Sequence, residues 1–150
     1  MFLENELTET ENLIKYSNKL KTKVSLKGVG WHIDHLLKVI VSVSESLKKS
    51  NPETYKWEFN FLRTIIFTIQ TIPKGKGKAP KSVVAVGEIN EEDIYDQLKK
   101  AKQLLLEIDN ISSNSYFNHP YFGLLNLRLS KQFLRIHTRH HLKIIRKIIT

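Results

Sequence analysis

Phe133-Leu134-Arg135-Ile136-His137-Thr138-Arg139-His140-His141-Leu142-Lys143-Ile144-Ile145-Arg146-Lys147-Ile148 is the stretch that sets the fold class. Laid on a helix at about 100° per residue, Phe133, Leu134, Ile144, Ile145 and Ile148 fall on one side. Arg139 falls opposite, and Lys131, Arg135 and Lys143 lie outside the centre of the apolar sector. This period belongs to a helix with one buried face. His137 and His141, four residues apart, stand one above the other on that face. A buried imidazole without a partner costs several kcal/mol (about 2 or more). A shared metal ion would satisfy both rings, and so would backbone carbonyls or a carboxylate.

Working outward, four more segments carry the helical period. The first spans about Leu3 to Leu20, acidic early and lysine-rich late, the order the helix dipole favours. The second spans about Gly28 to Lys49, with Val29, Leu36, Val39, Ile40, Val43 and Leu47 as its stripe. Asn51-Pro52-Glu53 reads as an N-cap, a proline at the first helical position and an acidic first turn, predicting a third helix over Pro52 to Thr71. Asn90 caps a fourth over about Glu91 to Ile108, and the last begins at Asn126 or Ser130. Ile111 to Gly123 reads as a polar and aromatic connection, and Val83 to Val86 is the one plausible strand. The expectation is a single all-α domain over residues 1–150, packed as a bundle.

Between the third and fourth helices lies Pro73-Lys74-Gly75-Lys76-Gly77-Lys78-Ala79-Pro80-Lys81, an exposed basic loop in this reading. It is not a P-loop, because Lys81-Ser82 follows Pro80 where that motif requires glycine.

Composition narrows the chemistry. No cysteine occurs among the 150 residues, which excludes disulfides, thiolate metal sites and a cysteine nucleophile. Any metal must be held by His, Asp or Glu. No apolar run approaches the ~18–20 residues that cross a bilayer, and Met1 to Glu6 lacks the pattern of a secretory leader, so a cytoplasmic chain is expected. The net charge of +9 raises the possibility of an acidic partner. The lysines are nevertheless spread through every segment, without the aromatic interleaving of a single-strand binder, and nucleic acid is not the expected ligand.

A third ligand should face the pair from another helix. Trp31-His32-Ile33-Asp34-His35-Leu36 offers two histidines. His32 lies nearer the middle of the apolar stripe and His35 toward its edge, so the wheel slightly prefers His32. Around them, Asp34 either orients an imidazole or is a solvated surface acid. His140 either acts as a base or faces solvent, and His119, ahead of Pro120, either lines a pocket or bonds its own turn.

Two stretches, Val29-Gly30-Trp31-His32-Ile33-Asp34-His35-Leu36 and His137-Thr138-Arg139-His140-His141-Leu142, resemble the DinB/YfiT-like family of four-helix metal proteins. The turn His119-Pro120-Tyr121-Phe122-Gly123 is similar to one branch of that family. The likeness covers the second helix and the C-terminal third. It departs at Lys27, where the family often has tryptophan, and after Leu142, where a glutamine is missing. The resemblance implies a DinB-like four-helix bundle with one additional helix, and metal ligands at His35, His137 and His141, with His140 outside them. It also implies a thiol-dependent transferase or isomerase as one kind of activity, and a homodimer.

Three neutral imidazoles suit Zn, Ni or another late divalent metal and leave a coordination position open. The expected function is a metal-dependent enzyme acting on a small molecule by hydrolysis or by transfer of a low-molecular-weight thiol, which the cysteine-free chain would take from outside. No catalytic residue beyond the ligands is assigned. The alternative is a non-catalytic basic helical bundle that binds nucleic acid or an acidic partner.

Overall fold

The computed structural model describes residues 1–74 and 89–150. Among them are five helices: α1 (Glu4–Leu13), α2 (Val29–Lys49), α3 (Phe61–Ile69), α4 (Glu91–Glu107) and α5 (Leu127–Ile149). One antiparallel hairpin joins β1 (Tyr116–His119) to β2 (Gly123–Asn126), with Tyr116 opposite Asn126 and His119 opposite Gly123. The protein is therefore mostly helical. Val83 to Val86 and most of the basic loop lie outside the described residues.

The helix α2 organises the core. Its stripe of Val29, Leu36, Val39, Ile40, Val43 and Leu47 is buried throughout, and it packs on α4 and on α5. The helix α1 lies against α4 and α5. One apolar cluster takes Leu7 from α1, Leu36 from α2, Phe67 from α3, Leu105 from α4, Leu125 from the hairpin and Ile145 from α5. No helix among the described residues is long and apolar enough to cross a membrane.

Three boundaries differ from the sequence expectation, each for a visible reason. The first helix stops at Leu13, with a 3-10 turn to Tyr16, instead of running to Leu20. Carbonyls beyond that point serve the start of α2: Ser17 O accepts the Gly30 N–H at 3.0 Å and Lys19 O accepts the Val29 N–H at 2.9 Å. Two of the free amides of α2 are thus satisfied by backbone rather than by a side-chain cap. A Cβ at Gly30 would stand 3.1 Å from Ser17 O, so glycine permits the approach.

The expected third helix over Pro52 to Thr71 is broken. Asn51 does accept the Glu53 N–H, but only a 3-10 turn, Pro52–Thr54, follows. Residues 55–60 run without helix, and Asn60 caps α3 by accepting the Arg63 N–H. Tyr55, Trp57 and Phe59 alternate with Lys56 and Glu58, a period of two that a helix cannot segregate.

The expected connection over Ile111 to Gly123 contains β1, and β2 begins at its last residue. Gly123 has φ +71°, a left-handed conformation that closes the hairpin without side-chain strain. The Asn126 side chain then accepts the Leu129 N–H and starts α5.

Candidate metal centre

Trp31, His32 and His35 come from the first two turns of α2, and His137, His140 and His141 from the middle of α5. Because α2 packs on α5, the two sets face each other. One ring nitrogen from each of His35, His137 and His141 can be chosen so that all lie within 4.8 Å of one another. This is the one such group of three among the described residues. The ring centroids are 5.1 Å apart for His35 and His137, 4.8 Å for His35 and His141, and 4.6 Å for His137 and His141.

His35 and His141 are buried. His137 is half-buried as a residue, yet its Nδ1 is sealed from solvent and has no hydrogen-bond partner among the described residues. Such an orphaned nitrogen is what a cation satisfies. An ion centred in a triangle of 4.8 Å sides would stand about 2.8 Å from each nitrogen. Zinc–imidazole bonds are ~2.0–2.1 Å, so the rings would close by at most roughly 0.7 Å each.

The electrostatics favour metal ligation over protonation. Burial holds His137 well below the ordinary histidine value of 6.5, with repulsion from His35, His140 and His119 adding to it. Burial does the same to His141, reinforced by His137, His35, His32 and His140. These two rings are neutral at pH 7 and keep a lone pair for a ligand. The donor set is all nitrogen, which selects late divalent metals over Mg or Ca.

His32 lies beside the group and outside it. Its Nδ1 is 2.9 Å from Nδ1 of His141, and its Nε2 is 3.0 Å from Ser25 Oγ. Burial, then His35, His140 and Lys74, lowers its pKa to about 4. One of the two facing Nδ1 atoms must carry the proton of this hydrogen bond. If His141 donates, His32 is the Nε2–H tautomer and donates onward to Ser25, while His141 Nε2 is left with a lone pair.

Trp31, four residues before His35, stacks on its ring at 4.9 Å and 11° between planes. The i, i+4 spacing was a usable signal for this contact. Ser25 had none, since it lies ahead of α2.

Asp34 is not a solvated surface acid. It is buried, 4% exposed, and its carboxylate accepts Nε2–H of Gln97 on α4 at 2.7 Å and Lys38 Nζ at 2.8 Å. It joins α2 to α4. His140 is half-buried, with its ring edge-on to His141 at 5.2 Å. It also lines a cleft of about 490 Å³ with Ile136 and Arg139, beside Glu6 of α1 and Gln70 after α3. Burial, Lys143 and Lys74 lower its pKa.

His119 bonds its own turn: its Nδ1 accepts the Tyr121 and Phe122 N–H groups at 3.1 and 3.2 Å. The ring stacks on Phe122 at 4.2 Å and meets Phe133, which in turn contacts His137. Burial pushes its pKa to about 4. Below pH 6.5 the unfolded chain binds a proton here that the folded chain refuses until about pH 4, so this ring's contribution to stability is lost as pH falls through that window. His119→Ala should cost about 1–3 kcal/mol at pH 7.5, and its gap from the parent should narrow toward pH 4. Asparagine, whose Oδ1 can accept the same amides, should recover part of the loss. Urea unfolding across pH measures both effects, and a gap that widens on acidification contradicts the assignment.

No family model matches the chain, and neither a curated protein nor a solved structure matches it.

Proposed function

We propose that the chain is a metal-dependent enzyme of the DinB/YfiT-like type, with His35, His137 and His141 holding one divalent ion, Zn or Ni. The observation that carries this reading is the convergence of three ring nitrogens from two packed helices within 4.8 Å. The packing of α2 on α4 and α5, with α1 against the latter two, supports a four-helix bundle in which α3 is the additional helix. His137 and His141, kept neutral by burial, would ligate without first losing a proton.

A bound divalent ion would supply Lewis acidity, favouring the anionic form of a water or an external thiol and so hydrolysis or thiol transfer on a small molecule. The chain's own residues do the positioning. Trp31 covers one face of His35 and restricts its rotation. His32 and Ser25 fix the orientation of His141.

Protein purified without a histidine tag should carry about one Zn or Ni per chain. After stripping with a chelator, added Ni should rebind at the same ratio and quench the emission of Trp31, which stacks on His35. Stripped protein that takes up no divalent ion, together with steeply salt-dependent binding to DNA, would instead favour the basic scaffold.

A further inference from the structure

Two ion pairs tie α1 to α5. Arg139 Nε donates to Glu6 Oε1 at 2.8 Å, and Arg146 Nε and Nη2 donate to Glu9 Oε1 and Oε2 at 2.6 Å each. The glutamates are separated by a rise of about 4.5 Å along their helix and the arginines by about 10.5 Å along theirs. The arginine side chains therefore converge on α1, and both pairs line the cleft of about 490 Å³. Arg139, Lys143 and Arg146 lie on the side of α5 turned away from His137 and His141. Neither of those rings lines the cleft, and nor does His35.

We infer that this cleft is a binding site separate from the three-histidine group, taking a small organic molecule that carries one carboxylate. Charge is the first argument. The lining holds Arg139, Lys143 and Arg146 against Glu6 and Glu9, a surplus of one cation. Both acids are committed to arginines, and Arg146 spends its fork on Glu9. Lys143, one turn from each arginine, is exposed and has no hydrogen bond or ion pair with a described residue. Arg139 uses only Nε on Glu6, which leaves its Nη groups for a ligand. The surroundings add to the surplus. The charge of Lys74 is felt at His140 in the cleft wall, and residues 75–88 contain Lys76, Lys78 and Lys81 against Glu88. A monocarboxylate balances the uncommitted cation, whereas a dianionic phosphate ester would meet the repulsion of Glu6 and Glu9 at twice the charge.

Shape is the second argument. The volume exceeds what a simple ion fills and lies within the ~300–1,000 Å³ of small-molecule pockets. Ile72 and Ile136 give the cleft an apolar wall for a hydrocarbon body. Gln70 holds φ +51°, a left-handed conformation that residues with side chains rarely adopt. That turn ends α3 and lays Gln70 and Ile72 along the cleft. A glycine would turn there freely, but it would leave no amide in the lining.

Fluorine NMR titration of the purified full chain with 4-fluorobenzoate tests this. The parent should bind with a dissociation constant of about 1–10 mM, the strength expected of a ligand this small. Lys143→Gln should weaken binding about ten-fold, and Lys143→Glu should abolish it. Lys147→Gln, the same charge change at an exposed position outside the cleft, should leave it intact. The neutral 4-fluorobenzamide should bind about ten-fold more weakly than the acid. Parent stripped of metal by a chelator should bind the acid as before. No binding to the parent overturns the inference, as does an amide that binds as well as the acid. Tighter binding of 4-fluorophenyl phosphate overturns the ligand class. Binding that is indifferent to Lys143 but lost on stripping would put the carboxylate on a metal ion, which overturns the cleft and leaves the metal reading standing.

Discussion

Alanine at His35 should lower the affinity for Zn or Ni by about a thousand-fold, while alanine at His32 should lower it by only about ten-fold. The difference follows from where the two rings stand. His35 offers a nitrogen within 4.8 Å of those of His137 and His141, and removing it leaves two donors on one helix. His32 reaches the three-ring group through its 2.9 Å hydrogen bond to Nδ1 of His141. Without it His141 keeps its place on α5 but loses a fixed orientation. His137→Ala and His141→Ala should match His35→Ala. Calorimetry or competition with a chelating dye measures all four. Equal losses at His32 and His35 would mean that the ion sits among four rings, and a greater loss at His32 would make the helical wheel the better guide.

The wheel and the structure differ here for a physical reason. A wheel ranks positions by distance from the middle of the apolar stripe, and by that measure His32 is the more interior. Burial does not separate the two, since His32 is 3% and His35 4% exposed. What separates them is the partner surface. His35 meets both His137 and His141, whereas His32 meets His141 and then turns to Ser25. Ser25 lies in an irregular segment, where no periodicity places it.

The helices were legible in proportion to their regularity. The stripe of α2 and the cap and acidic first turn of α4 each fix a boundary to within a residue or two. Local signals failed where distant groups decided the outcome. Asp34 reads as a surface acid until Gln97, 63 residues away, supplies a donor. The first helix ends where α2 claims its following carbonyls. The sequence Asn51-Pro52-Glu53 is a genuine cap, but Asn60 is a second one, and the alternation between them shows which begins the longer helix.

Arg63→Ala should destabilise the fold by about 3–4 kcal/mol, the largest effect expected outside the apolar core. Arg63 is 5% exposed although it belongs to α3, the helix with the most open apolar face. Its Nη1 donates to Phe122 O in the hairpin turn at 3.1 Å, and its Nη2 donates to Glu58 O at 2.5 Å. Hydrogen bonds from a charged donor contribute about 1.5–3 kcal/mol each, and alanine leaves both carbonyls without this partner and the volume of the stem unfilled. Asn60 supports the same junction from its side chain to Tyr121 O, so the hairpin turn would retain one tie to α3 and not the other. Lysine should recover part of the loss, because one ammonium cannot reproduce the fork that reaches two carbonyls. Local opening should accompany the global change, with protease cleavage appearing first between residues 55 and 70. An Arg63→Ala protein as stable as its parent would mean that the hairpin and α3 are held together by Phe67 against Phe122 instead.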